Sequence, residues 1–162
     1  MRDVDLVCEA VSVHNDTEQI LIKKEWISPG TVFLSSMNLV LEEDFLLNDV
    51  RKVIDNWKMY DEFLQSMLKH QREAGIKRPL GCVGANLLNL VNHGKLKEED
   101  VPLIGDIVRG IAPGRTSDDE IFLVGACGMP IEDVGWGYDC YQRALKEGIG
   151  TKLNLWDEPY IY

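Results

Sequence analysis

Four short apolar runs, set apart by turn-forming residues and by segments with helical spacing, limit most sharply what this chain can fold into. Thr31 to Leu34, Val50 to Ile54 and Ile121 to Val124 are rich in Val, Ile, Leu and Phe, a composition suited to strands covered on both faces. A further run begins almost at the amino terminus, where Val4 and Leu6 lead on to Val11 and Val13. Asn56 to His70 instead repeats large apolar residues at Trp57, Tyr60, Leu64 and Leu68, the spacing of one helical face. Short strands followed by such a helix favour a layered α/β arrangement.

The punctuation between these runs fills in the order. Pro29-Gly30 turns the chain after the segment KKEWIS, while Asn38 to Leu47 alternates too imperfectly to assign. The segment ANLLNLVNHG reads as a short helix ending at Gly94. Glu99 to Pro102 offer an acidic first turn to another helix, whose expected buried stripe is Leu103, Ile104, Ile107 and Val108, with Gly110 and Pro113 as its stop. A polar connector, Pro113 to Glu120, leads into the strand at Ile121. Beyond the small residues Gly125 to Gly128, Ile131, Val134, Tyr138, Tyr141 and Leu145 share one helical face, which Gly148 terminates. Thr151 to Trp156 is expected to return as a last strand.

Charge and cysteine usage narrow the function classes. Seventeen basic residues face twenty-seven acidic ones, a formal charge of −10, which disfavours a nucleic-acid footprint. The pair Lys23-Lys24 reads as a solvated loop or helix end. Cys8, Cys82, Cys127 and Cys140 form no CxxC pair, and His14, His70 and His93 are dispersed, so neither a zinc knuckle nor a disulfide scaffold is expected, and no metal. With no signal-peptide architecture and no membrane-length apolar stretch, a cytoplasmic location is the expectation.

Phosphate-binding motifs are only approached. A dinucleotide turn needs glycines that let backbone amides close on a pyrophosphate. Gly135-Trp136-Gly137-Tyr138-Asp139-Cys140 has the first two glycines but lies inside a helix-periodic segment, and Gly148-Ile149-Gly150 reads as a helix stop. No P-loop unit is present. Ser12, Ser35 and Ser36 each fall near the carboxyl end of a predicted strand, the edge where open α/β sheets gather ligands, although ordinary strand-terminating turns are the first explanation of them. Cys127, between Ala126 and Gly128, has no neighbouring base to activate it and reads as core or passive pocket wall. Adjacent acids such as Glu132-Asp133 are explained by solvation or by a helix start.

Taken in order, the segments DLVCEAVS, KKEWISPGTVF, PGRTSDDEIFLV, GMPIEDVGWGYDCYQRA and GIGTKLNL resemble the ornithine cyclodeaminase and mu-crystallin family, and within it a branch that includes N-(2-amino-2-carboxyethyl)-glutamate dehydrogenase. That resemblance implies an α/β fold with a partial Rossmann-like parallel sheet. Residues 1–111 would be the later part of a dinucleotide-binding domain, and 112–162 a return segment toward a substrate and dimerisation domain. It implies NAD or NADP as cofactor, with Ser12 and Ser35 lining its cleft and Cys127 and Gly128 near the nicotinamide. The family's basic substrate-binding residues and glycine-rich turn would precede Met1. The chain is therefore expected to be the carboxyl-terminal part or subunit of an NAD(P)-dependent amino-acid or imine oxidoreductase, completed by an amino-terminal segment or complementary subunit, inactive alone and capable of homo-oligomerisation. The alternatives are a non-catalytic binding or assembly protein derived from the fold, or part of a cyclodeaminase-like lyase. Where the cyclodeaminase branch carries an aspartate after the strand matching TVFLSS, this sequence has Asn38, which cannot act as a carboxylate base but can orient substrate or water.

Overall fold

The apolar runs pair side by side as parallel strands. A computed structural model of the chain describes residues 4–11, 20–37, 39–74 and 82–153. Strands β1 (Leu6–Glu9), β3 (Val32–Ser35), β5 (Val50–Ile54) and β6 (Ile121–Gly125) form one parallel sheet in the order β1-β3-β6-β5. The two-residue strands β2 (Leu21–Ile22) and β4 (Val40–Leu41) pair separately, also parallel. Parallel neighbours need crossover connections. The crossover from β5 to β6 carries helices α2 (Trp57–Ala74), α3 (Val83–Asn92) and α4 (Ile104–Val108), while α1 (Glu43–Asn48) leads into β5. The fold is thus α/β with a parallel sheet, as the strand and helix periods predict.

The core lies where the sheet meets these helices. Phe33, Val53, Ile54 and Leu123 from the strands and Tyr60, Leu64, Val83, Ala85 and Leu87 from the helices are all buried. The helical spacing read from the sequence is the packing face of α2, since Tyr60 and Leu64 are buried and Trp57 and Leu68 partly so. Burying one such leucine stabilises the fold by about 1.5–3 kcal/mol. The buried Lys52 directs its Nζ to the carbonyl oxygens of Leu46 and Leu47, 2.9 and 3.0 Å away, placing a cation at the carboxyl end of α1. Desolvation lowers the Lys52 pKa below its ordinary 10.5, against a smaller opposing pull from Asp100.

Two expectations are corrected. The stripe assigned to α4 is not buried: Ile104 is 42% and Val108 82% exposed, and only Leu103 and Ile107 are partly covered. A helix of five residues presents too little length to seat four apolar side chains on one surface. Thr151 to Leu153 form no strand, and the rest of that expected element lies outside the described residues.

The chain divides into two compact units between Cys127 and Gly128. β6 belongs to the first unit's sheet. The second unit contains α5 (Pro130–Glu147), with proline in its first turn and the Glu132 carboxylate accepting the Met129 N–H at 3.2 Å. It ends at Gly148, whose φ of 66° is the left-handed conformation that glycine adopts at low cost. The incomplete glycine motif Gly135-Trp136-Gly137 lies within this helix. Among the described residues no helix is long and apolar enough to cross a membrane, and no cluster of three or more His, Cys, Asp or Glu is placed to hold a metal ion.

Candidate functional site

In a parallel sheet every strand delivers its last residue to the same edge, and here that edge is built by Glu9, Ser35, Gly125 and Ile54 with the residues that follow them. The ladder continues past the strands. Ser36 N–H donates to Glu9 O at 3.0 Å, Ala126 N–H to Ser35 O at 3.0 Å and Asp55 N–H to Gly125 O at 3.2 Å. These rungs fix the first turn after each strand.

Glu9 and Ser35 form one polar contact there. The Ser35 hydroxyl donates to Glu9 Oε2 at 2.7 Å, and Glu9 Oε1 accepts the Val11 N–H at 2.7 Å. Ser35 is fully buried, so its hydroxyl is engaged by Glu9 within the edge. Ser12 and Asn38 lie outside the described residues.

Asp55 gathers the other end of the edge. Its Oδ1 accepts the Asn56 N–H at 2.8 Å and the hydroxyl of Tyr60, and its Oδ2 accepts the Cys127 N–H at 3.2 Å. The Cys127 thiol in turn donates to Ser36 O at 3.3 Å. Cys127 is thereby tied through its amide to the end of β5 and through its sulfur to the end of β3. Close packing beneath supports this. Gly84 of α3 lies against the Tyr60 ring so tightly that a Cβ would overlap it, and a Cβ on Gly125 would come within 3.0 Å of Val83 Cγ1.

The electrostatics keep both hydroxyl and thiol protonated. Burial, followed by the hydrogen bond to Asp55, raises the Tyr60 pKa above its ordinary 10.0. The neighbouring Cys82 thiol, then desolvation, pushes the Cys127 thiol up as well. A neutral thiol is a poor nucleophile, and Cys127 is exposed and not part of the buried core. Gly128, the next residue, opens the second unit with φ 77°.

Asp55 and Glu9 were not singled out from the sequence, and Tyr60 was named only as part of a helix's apolar face. One signal was available for Asp55: an acid directly after the strand run Val50 to Ile54 and just before a helix occupies the ligand-facing end of a parallel strand. Nothing in the sequence announces that Tyr60 and Cys127 converge on it.

The model of the ornithine cyclodeaminase/mu-crystallin family matches residues 2–148. The chain belongs to this family. It is 32% identical over 151 residues to the N-((2S)-2-amino-2-carboxyethyl)-L-glutamate dehydrogenase of Staphylococcus aureus, a match covering 91% of this chain and 38% of that protein. It is 24% identical over 156 residues to the alanine dehydrogenase of Archaeoglobus fulgidus, covering 91% of this chain and 41% of that one. Among solved structures, an archaeal alanine dehydrogenase dimer with bound NAD superposes with a TM-score of 0.58 at 22% identity, covering 94% of this chain and 41% of that one. The ornithine cyclodeaminase/mu-crystallin chain described here thus spans about two-fifths of the length of these relatives.

Within this family member, the segment PGRTSDDEI serves structure at the opposite edge of the sheet, where the strands begin. Arg115 donates to Gly30 O at 2.7 Å and Glu120 O at 3.2 Å, and both Arg115 and Arg51 stand over the Phe122 ring, at 5.6 and 5.5 Å. The Glu120 carboxylate accepts the Thr116 N–H at 2.6 Å and its hydroxyl at 2.8 Å. These residues secure the entry to β6.

Proposed function

We propose that the chain supplies the nicotinamide-side part of an NAD(P)-dependent oxidoreductase acting on an amino acid or its imine. The observation that carries this is the edge itself: a parallel α/β sheet ending in Gly125-Ala126-Cys127, with the Cys127 main chain held by Asp55 and its neutral thiol exposed. A wall of small side chains without charge suits the flat face of a dihydronicotinamide ring. The relatives support the same class, since those named above are amino-acid dehydrogenases, one of them solved with NAD.

The fit to the cofactor is partial. Cys127 at this edge suits the nicotinamide end, and the family resemblance implies Gly128 beside the ring and Ser12 along the cleft. Ser35 supports that cleft through its bond to Glu9. The sequence has no glycine-rich phosphate turn, so a further segment or complementary subunit meets the pyrophosphate. When bound, the cofactor accepts or donates the hydride. This chain's residues orient the ring and exclude water, and Asn38 orients the substrate or a water. A homo-oligomeric, cytoplasmic protein is part of the same proposal.

NADH fluorescence tests it, measured on the chain alone and on the chain supplied with the amino-terminal segment of the S. aureus relative. Tight binding and turnover of an amino or imino acid are expected only in the completed form, and Asn38→Ala is expected to lower turnover there while leaving the fold intact. Tight NADH binding by the chain alone, or none by the completed form, contradicts the proposal.

A further inference from the structure

Asp55 collects three donors on one carboxylate: the amide that opens α2, the Tyr60 hydroxyl from the first turns of that helix, and the Cys127 amide at the exit of β6. An ionised carboxylate is acceptor-only and accommodates all three. Its strand also hydrogen-bonds to the neighbouring one through Asp55 N–H and Gly125 O, so the carboxylate has a fixed origin. Tyr60 is fixed as well, because its ring is buried and wedged on Gly84. Among the described residues the Cys127 N–H has no strand partner. The peptide's orientation follows from Asp55 on one side and from the thiol bond to Ser36 O on the other.

We propose that Asp55 is a positioning residue for the nicotinamide site: its carboxylate sets the Cys127 peptide plane, and with it the surface on which the ring rests. This rests on the proposed nicotinamide-side function. The carboxylate does not touch the reacting atoms; it acts through Cys127. An amide cannot replace it. In Asp55→Asn one oxygen becomes an NH2 donor; turning it toward Asn56 and Tyr60 would lose two contacts, so the remaining oxygen stays with them and the Cys127 N–H loses its acceptor.

The test uses the 15N-labelled chain and its Asp55→Asn variant. Hydrogen exchange of the Cys127 amide is read against the amides of Phe122 and Ala126, which bond to Thr31 O and Ser35 O and report the integrity of the sheet. Loss of a charge-assisted bond is expected to speed Cys127 exchange by about tenfold or more, with the two reference amides unchanged. Reduced nicotinamide mononucleotide is then titrated into both proteins, each completed with the amino-terminal segment of the S. aureus relative. It is expected to shift the Ala126 and Cys127 amide resonances of the native chain, and to lose that effect in the variant. Unchanged exchange at Cys127 overturns the proposal, as do equal shifts in the two proteins despite faster exchange. If the completed native form shows no shift, the nicotinamide-side function fails and the positioning role falls with it, whereas the exchange data still report whether Asp55 holds the peptide.

Discussion

The Arg115 guanidinium donates to the Gly30 carbonyl oxygen at 2.7 Å, joining the turn before β3 to the connector before β6 across 85 positions of sequence. The same group bonds to Glu120 O and lies over Phe122, which is buried in the sheet. Arg115→Lys keeps the charge but loses the planar guanidinium that stacks on the ring while its Nη2 reaches both carbonyls. It is expected to cost about 1 kcal/mol, and Arg115→Ala about 1–2 kcal/mol, in urea unfolding. If the lysine variant matches the native protein, charge alone accounts for the contact.

Glu120 gives the same corner an acid dependence. Hydrogen bonds from Thr116, amide first and hydroxyl next, with lesser help from Ser117 and Arg51, hold its pKa at about 2 against an ordinary 4.5. A carboxylate with a depressed folded-state pKa contributes stability that is full above the unfolded value and is lost as pH falls through the folded one. The contribution of Glu120 should therefore fade between pH 4.5 and about 2. Glu120→Gln is expected to lower stability at neutral pH and to flatten its decline across that window, as followed by denaturant titrations at stepped pH. Parallel acid profiles for the two proteins contradict the assignment.

How much of this was legible from residue order depends on the range of the interaction. The runs Val50 to Ile54 and Ile121 to Val124, and the spacing of Tyr60 and Leu64, report local burial, and each became the strand or helix face expected. The stop at Gly148 was legible for the same reason, since a left-handed residue at a helix end is a local demand. Val108 was misread because periodicity says which side chains align, and not whether a partner surface covers them. In the candidate site, Cys127 stands out in the sequence through its small neighbours, and its amide meets Asp55. Asp55 was missed because its role comes from a contact 72 residues away, which no local pattern encodes.

Gly84 tests the packing beneath that site. A methyl group there overlaps the Tyr60 ring, which is buried and held at its hydroxyl by Asp55, so neither partner can retreat easily. Overpacking of this kind costs about 1–3 kcal/mol. Gly84→Ala is expected to fall in that range even though alanine favours helix by up to about 1 kcal/mol. Combining it with Tyr60→Leu should cost less than the sum of the single changes. Strict additivity in this double-mutant cycle removes the proposed clash.

Tyr60 also predicts an alkaline limit. Its folded pKa lies above the 10.0 of a free tyrosine, through burial first and the Asp55 hydrogen bond second. A group that holds its proton more tightly when folded contributes stability that is full below the unfolded pKa and is lost as pH rises through the folded one. Stability of the native chain should therefore fall more steeply above pH 10.0 than that of Tyr60→Phe, which has no proton to lose. At neutral pH the phenylalanine variant should be less stable by about 1–2 kcal/mol, because Asp55 Oδ1 loses a donor it keeps in the native protein. Urea unfolding from neutral pH to beyond pH 10.0 reads both effects. Equal slopes in the alkaline range would show that the hydroxyl is no better held folded than unfolded, and would remove Tyr60 from the chain of contacts that ends at Cys127.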